Sequence, residues 1–150
     1  MMIEQFWNEY KKQNPNAPEN LPEAWSFGSG ADMADELLGL VLAGKKTATC
    51  SLHVLYEIDD EAIPEVGGYN IILNGAGEPH VITRQTSVEF IPFNEVDEEF
   101  ARAEGEGDLS YSYWHDGHVR YFSNLLETYG RTFDPTMLIV CERFELCMTR

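Results

Sequence analysis

Gly44-Lys45-Lys46-Thr47-Ala48-Thr49-Cys50-Ser51-Leu52 changes its period partway along. Just upstream, Met33, Leu37, Leu40 and Val41 fall on one face of a 3.6-residue repeat, which predicts a helix from about Asp32 to Ala43. A serine or Asp32 near its start and Gly44 at its end are cap signals. From Thr47 the repeat becomes 2. Ala48, Cys50 and Leu52 then face a core, while Thr47, Thr49 and Ser51 take the other side of a half-buried strand. A helix therefore hands over directly to a strand, with Lys45 and Lys46 at the junction.

Working outward, Ile3, Phe6, Trp7 and Tyr10 sit at i, i+3, i+4 and i+7, an amphipathic helix. The segment NPNAPENLPEAW, residues 14–25, is too rich in proline for helix and reads as an extended connection. It leads into the aromatic and glycine loop Trp25-Ser26-Phe27-Gly28-Ser29-Gly30. Downstream, a strand at Tyr69–Leu73 is bounded by Gly67-Gly68 and the turn Asn74-Gly75-Ala76-Gly77, and a long strand runs from His80 to Phe93. Helices follow at Val96–Ala103 and about Leu109–Tyr129, separated by Glu104-Gly105-Glu106-Gly107-Asp108. A strand at Met137–Leu146 closes the order. Strands and helices do not alternate regularly enough for a doubly wound sheet. The expectation is an α+β fold, a small mixed sheet or partly open barrel with surrounding helices.

A chain of 150 residues with neither an internal repeat nor a linker reads as one domain spanning 1–150. That length buries roughly 68–70% of the unfolded surface around one core. The 26 acidic residues against 10 Lys plus Arg give a formal charge of −16. Such a balance argues against a non-specific nucleic-acid binder, which needs a basic footprint to displace counterions. It argues equally against binding to an anionic membrane. No apolar run approaches the roughly 20 residues of a membrane span, and the polar start lacks the apolar core of a signal peptide. Cys50, Cys141 and Cys147 are odd in number and contain no CxxC pair, so neither a disulfide framework nor a cysteine zinc site is expected. A cytoplasmic location follows as the expectation.

The excess charge is not spread evenly. Residues 57–108 hold fourteen acidic side chains against Arg84 and Arg102, a local balance of −12. All four lysines come before residue 47. A C-terminal helix pair favoured by the dipole explains Lys45-Lys46 on its own.

The run Gly44-Lys45-Lys46-Thr47-Ala48-Thr49, on a helix end entering a strand, resembles the signature of the ASCH domain family. The Trp25-Ser26-Phe27-Gly28 loop, the Ala31–Leu37 helix and the closing Cys141-Glu142-Arg143-Phe144-Glu145 strand agree with it. So does the order Glu104-Gly105-Glu106-Gly107-Asp108, Trp114, His118, as in larger bacterial members. The resemblance covers roughly residues 20–147 and implies a PUA-like β-barrel, with 1–20 as a helical extension. The broad family pattern is Gly-x-Lys-x-x-Glu-x-Arg; here Thr49 and Ser51 stand at the Glu and Arg positions. Gly-x-Lys-Thr-x-Thr is similar to the small bacterial N4-acetylcytidine amidohydrolases, which keep the Arg. That likeness implies catalytic roles for Lys46, Thr49 and Glu106.

Chemistry constrains these roles. A threonine hydroxyl needs a base, and a lysine serves as one only if its pKa falls from about 10.4 toward 7–8. A carboxylate beside it pushes the other way. Either Lys46 stays charged and stabilises an oxyanion while Glu106 handles protons, or Glu106 stays distant until substrate binds. Strand parity also sets Lys46 opposite to Thr49, so the two converge only if residue 46 lies in a turn or bulge. Glu104 and Glu106 flank a glycine, and a solvated turn accounts for them as well as catalysis does.

Trp25, Phe27 and Trp114 are candidates for stacking on a base, with Gly28, Thr47 and His118 beside them. Core packing is the ordinary alternative for the aromatics. Arg84, almost alone in its acidic segment, is a candidate for binding a phosphate or carboxylate, or else the partner of an acidic neighbour. His115 and His118 have ligand spacing, but no third ligand announces itself, so neither metal nor cofactor is expected. The first functional reading is hydrolysis of an amide on a nucleoside-like ligand. An RNA-binding module or ribonuclease acting on single-stranded RNA is the second, and a non-enzymatic ligand sensor is the third. A homodimer stays open.

Overall fold

The computed structural model describes residues 2–150. Its elements run α1 (Ile3–Gln13), β1 (Glu23–Trp25), α2 (Ala31–Leu42), β2 (Ala48–Leu52), α3 (His53–Ile58), β3 (Tyr69–Leu73), β4 (Pro79–Pro92), α4 (Glu98–Glu104), α5 (Tyr111–Glu127) and β5 (Leu138–Thr149). The strands form one sheet in the order β1-β3-β4-β5-β2. Only β1·β3 is parallel; the other pairings are antiparallel. Register shifts between Ile82 and Thr83 and between Gln85 and Ser87 interrupt the long β4·β5 ladder. Such bulges bend and twist a strand, and the sheet is a curled half-barrel. This is the α+β, barrel-like class expected from the sequence.

Alternation along β3 and β4 sends successive side chains to opposite faces. Ile71 and Ile82, opposite each other, pack on Phe6, Trp7 and Tyr10 of α1. Ile72 and Val81, also opposite, pack on Leu37, Leu38 and Val41 of α2 on the other face. A third cluster joins Ala48 and Leu52 of β2 to Phe100 of α4 and to Trp114, Phe122 and Leu126 of α5. The helices begin where local chemistry allows. Asp97 caps α4 by accepting from the Phe100 amide, and Ser110 caps α5 by accepting from Tyr113.

Two elements differ from the sequence reading. The proline-rich connection contains β1, a three-residue parallel edge strand. Directly after β2, His53–Ile58 turns into α3. Six residues are too few to display helical periodicity. No helix among the described residues is long and apolar enough to cross a membrane.

Candidate functional site

One cavity of roughly 830 Å³ opens in the half-barrel, within the usual range of small-molecule sites. Both edge strands line it, through Trp25 on β1 and Thr49, Cys50 and Ser51 on β2. Asn70, Gln85 and Glu142 line it from β3, β4 and β5. The loop at 61–65, the α4–α5 turn and α5 complete the wall.

Lys46 lies off the regular strand, in the connection between α2 and β2. Its backbone N–H still bonds back to the Leu40 carbonyl at 3.1 Å. The side chain is only 2% exposed, so its ammonium must be satisfied internally. Nζ donates to the Ala48 carbonyl at 2.9 Å, to Glu104 Oε1 at 3.1 Å and to Glu106 Oε2 at 3.4 Å. The Phe27 ring lies 5.4 Å below it. Thr49 lines the same cavity.

Both acidic residues of the Glu104-Gly105-Glu106 turn face the lysine, because Gly105 caps α4 at φ +74°. A Cβ at 105 would be driven into the Lys45 carbonyl, so this turn is packed on the lysine segment rather than solvated. Glu104 is buried and also accepts from the Trp114 indole N–H at 2.6 Å. His118 stands with Nε2 at 3.5 Å from Glu104. Its Nδ1 is 2.7 Å from the Trp114 carbonyl, and since a carbonyl only accepts, Nδ1 carries the hydrogen.

These contacts separate the charges. Burial lowers the Lys46 pKa, but Glu104 and Glu106 together outweigh it and leave Lys46 raised, hence protonated. Burial raises Glu104, yet Lys46, His118 and the indole N–H bring it below the usual carboxylate value. For Glu106, burial and the neighbouring Glu104 outweigh Lys46, so its pKa ends above the ordinary value. Two carboxyls thus share one ammonium with their titrations pushed apart, the pattern that distinguishes a structural counterion from a proton carrier.

Among the described residues, Cys50, Glu104 and His118 bring ligand-type atoms within 4.8 Å of one another. The Glu104 oxygens already accept from Lys46 and Trp114. Burial, with Glu104 adding, pushes the Cys50 thiol well up. His115, the partner suggested for His118 by spacing, turns to Asp116 instead.

Of the other residues singled out in the sequence, Trp25, Phe27, Gly28, Trp114 and His118 line the cavity. Trp114 is not free to stack on a ligand. It is 2% exposed and stacks with Phe93, Tyr111 and His118, while its N–H holds Glu104. Thr47 and Arg84 fall outside the cavity. The Thr47 hydroxyl donates to the Ala103 carbonyl, tying the connection just ahead of β2 to α4. Arg84 has the opposite parity to Gln85 and pairs with Glu145 on the outer face, 3.5 Å away.

Sequence reasoning passed over a polar chain across the sheet. Trp25 Nε1 donates to Asn70, Asn70 to Gln85, and Gln85 to Glu142, each at 2.8 Å. Asn70 in Tyr69–Leu73 and Gln85 in the run His80–Phe93 interrupt apolar strands on the inward parity, a signal that was present. Glu142 lies opposite Thr49 in the β2·β5 register. Burial pushes its carboxyl up to about 7, with the Gln85 bond working the other way.

The protein EF3133 from Enterococcus faecalis V583 has a crystal structure 40% identical in sequence, with a TM-score of 0.89 over 96% of this chain and 86% of that one. The ASCH domain from Lactobacillus crispatus JV V101 is 31% identical, also at TM-score 0.89, over 97% and 93% of the two chains. Hypothetical protein PH0355, 14% identical at TM-score 0.52 over 83% and 98% of the two chains, shares the fold alone. No curated protein matches the chain in sequence. The ASCH domain model matches residues 23–148, a span that holds every cavity-lining residue. By that match and by its likeness to a solved ASCH domain, the chain belongs to the ASCH domain family.

Proposed function

We propose that the cavity takes a neutral, nucleoside-sized ligand and hydrolyses an amide on it, with Lys46, Thr49 and Glu106 at the reacting centre. The observation that carries this reading is the Lys46 ammonium held between Glu104 and Glu106 in a cavity that Thr49 also lines. Lys46 stays charged and is therefore no base. It stabilises the oxyanion that develops on the amide carbonyl. Glu106 takes a proton from water as the water oxygen bonds to the carbonyl carbon. It then delivers that proton to the leaving nitrogen as the C–N bond breaks. Thr49 orients the amide by hydrogen bonding. Glu104 neutralises Lys46 and remains ionised.

The wall chemistry favours an uncharged ligand. Six glutamates line the cavity, Glu23, Glu61, Glu65, Glu104, Glu106 and Glu142, against the cations Lys46 and Arg120. Phosphates meet net repulsion there, which disfavours an RNA strand.

The test is turnover of N4-acetylcytidine. Wild type is expected to release acetate, and Glu106→Gln to lose about 10²–10⁴ in kcat. Because Glu106 must be ionised to act as a base, kcat/KM is expected to rise with pH through a value above the ordinary carboxylate range. Tight binding of the nucleoside with no release of acetate would replace this reading with that of a ligand sensor. Unchanged turnover in Glu106→Gln would remove Glu106 from the mechanism.

A further inference from the structure

We propose that Glu142, presented on the cavity floor by the Trp25–Asn70–Gln85 chain, forms a recognition subsite for the edge of an aminopyrimidine, a ring-nitrogen acceptor beside an amino N–H donor. The proposal deepens the nucleoside reading above and rests on it for the kind of ligand, though not on hydrolysis.

The chain has only one direction. An indole N–H donates and never accepts, so Trp25 fixes the Asn70 carbonyl oxygen toward itself. That orients the Asn70 amide nitrogen to Gln85 and the Gln85 amide nitrogen to Glu142. Both amide orientations follow from the donor-only residue at one end and the carboxyl at the other. Each amide nitrogen gives one of its two N–H groups to the chain, whose last bond holds Glu142 Oε1 in place. Oε2 has no hydrogen-bond partner among the described residues, although Glu142 lines the cavity. A buried carboxyl with one oxygen clamped and the other unassigned is built to meet a ligand.

Position supports the assignment. Antiparallel partners share a face, so the Thr49 and Glu142 side chains are neighbours, roughly 5 Å apart at Cβ. A planar ligand that presents its amide to Thr49 places the adjoining ring edge against Glu142. Half-buried Trp25 forms the wall beside it.

The chemistry discriminates between pyrimidines. A protonated carboxyl offers O–H to the ring nitrogen of cytosine and C=O to its amino N–H. Uracil presents a ring N–H and a carbonyl at those places, so donor meets donor and acceptor meets acceptor. An ionised Glu142 has lost the donor and repels the cytosine ring nitrogen. Groups facing Glu142 are Glu23 from β1, Tyr56 from α3 and Glu104 from α4, with uncharged Thr49 from β2 and Gln85 from β4. None of these is a cation, and together with burial they leave the carboxyl titrating at about 7. Glutamine at 142 would present the same donor and acceptor at every pH.

The test is calorimetric titration of cytidine and of uridine into the full chain at about pH 5.5 and about pH 8.5, either side of that titration. Wild type is expected to bind cytidine about tenfold more tightly than uridine at the lower pH, with the ratio contracting at the higher. Glu142→Gln is expected to keep the preference at both pH values, and Glu142→Ala to lose it at both. The proposal is overturned if wild type does not bind cytidine, if Glu142→Ala keeps the wild-type ratio, or if Glu142→Gln follows the wild-type pH dependence. Acetate release from N4-acetylcytidine separates the two readings. The expected binding pattern without turnover supports the subsite and removes hydrolysis, whereas turnover without the pattern supports hydrolysis and removes the subsite.

Discussion

Lys46 brings three protons to the Ala48 carbonyl, to Glu104 Oε1 and to Glu106 Oε2, with the Glu104 carbonyl further off at 3.5 Å. Removing one member of such a buried pair leaves the other charge uncompensated. Lys46→Ala is therefore expected to destabilise the fold by about 3–5 kcal/mol in urea unfolding. A loss under about 1 kcal/mol would mean that Glu104 is already neutral. The signs are consistent across the pair. Glu104, lowered in the fold, contributes stability above its unfolded value that is lost as pH falls through the folded one. Lys46, raised in the fold, contributes stability below its unfolded value that is lost as pH rises through the folded one. The pair therefore stabilises the neutral range. Lys46, Thr49 and Glu106 were singled out by the likeness of their runs to the ASCH signature, while strand parity by itself set Lys46 apart from Thr49 and left Glu104 and Glu106 undistinguished. Glu142 was not legible as a site residue. Its run, Val140-Cys141-Glu142-Arg143-Phe144, looks like any closing strand until the register sets it beside Thr49.

At the scale of elements, the α4–α5 turn decides the site. Gly105 has φ +74° and a Cβ there would meet the Lys45 carbonyl, so the turn is packed directly on the lysine segment. An L-residue at 105 is strained by its backbone and by that contact together. Gly105→Ala is expected to destabilise by about 2 kcal/mol or more in urea unfolding, and to lower kcat alongside. Wild-type stability in this variant would show that the turn has room to move. The helix α2 and the strand β2 announced themselves through the change from period 3.6 to period 2, since each buries one face. β1 did not, because three residues beside prolines carry no period, and it becomes a strand only through pairing with β3. The same holds for α3, which is a helix because its backbone bonds locally after the sheet ends.

For the whole molecule, a charge of −16 surrounds a cavity whose carboxyls titrate apart. Glu142 moves from 4.5 to about 7 on folding, so its contribution to stability is complete below the unfolded value and lost as pH rises through the folded one. At 1.36 kcal/mol per unit, roughly 3 kcal/mol of stability is expected to disappear between about pH 4.5 and about pH 8. Glu142→Gln is expected to lack that slope and to exceed wild type at the upper end, as read by urea unfolding across the range. Parallel pH profiles for the two proteins would contradict the assignment. The sequence by itself determined the α+β order of elements, the segregation of acid into 57–108 and the placing of Lys46 just ahead of a threonine-bearing strand. Each of these is local, set by periodicity, capping and composition within one stretch of chain. Only the tertiary structure decided that both Glu104 and Glu106 reach Lys46, that the faces of Trp114 are already covered, and that Trp25, Asn70, Gln85 and Glu142 join across four strands. Those relations depend on strand register and on the curl of the sheet, where a slip of one residue turns every side chain to the opposite face.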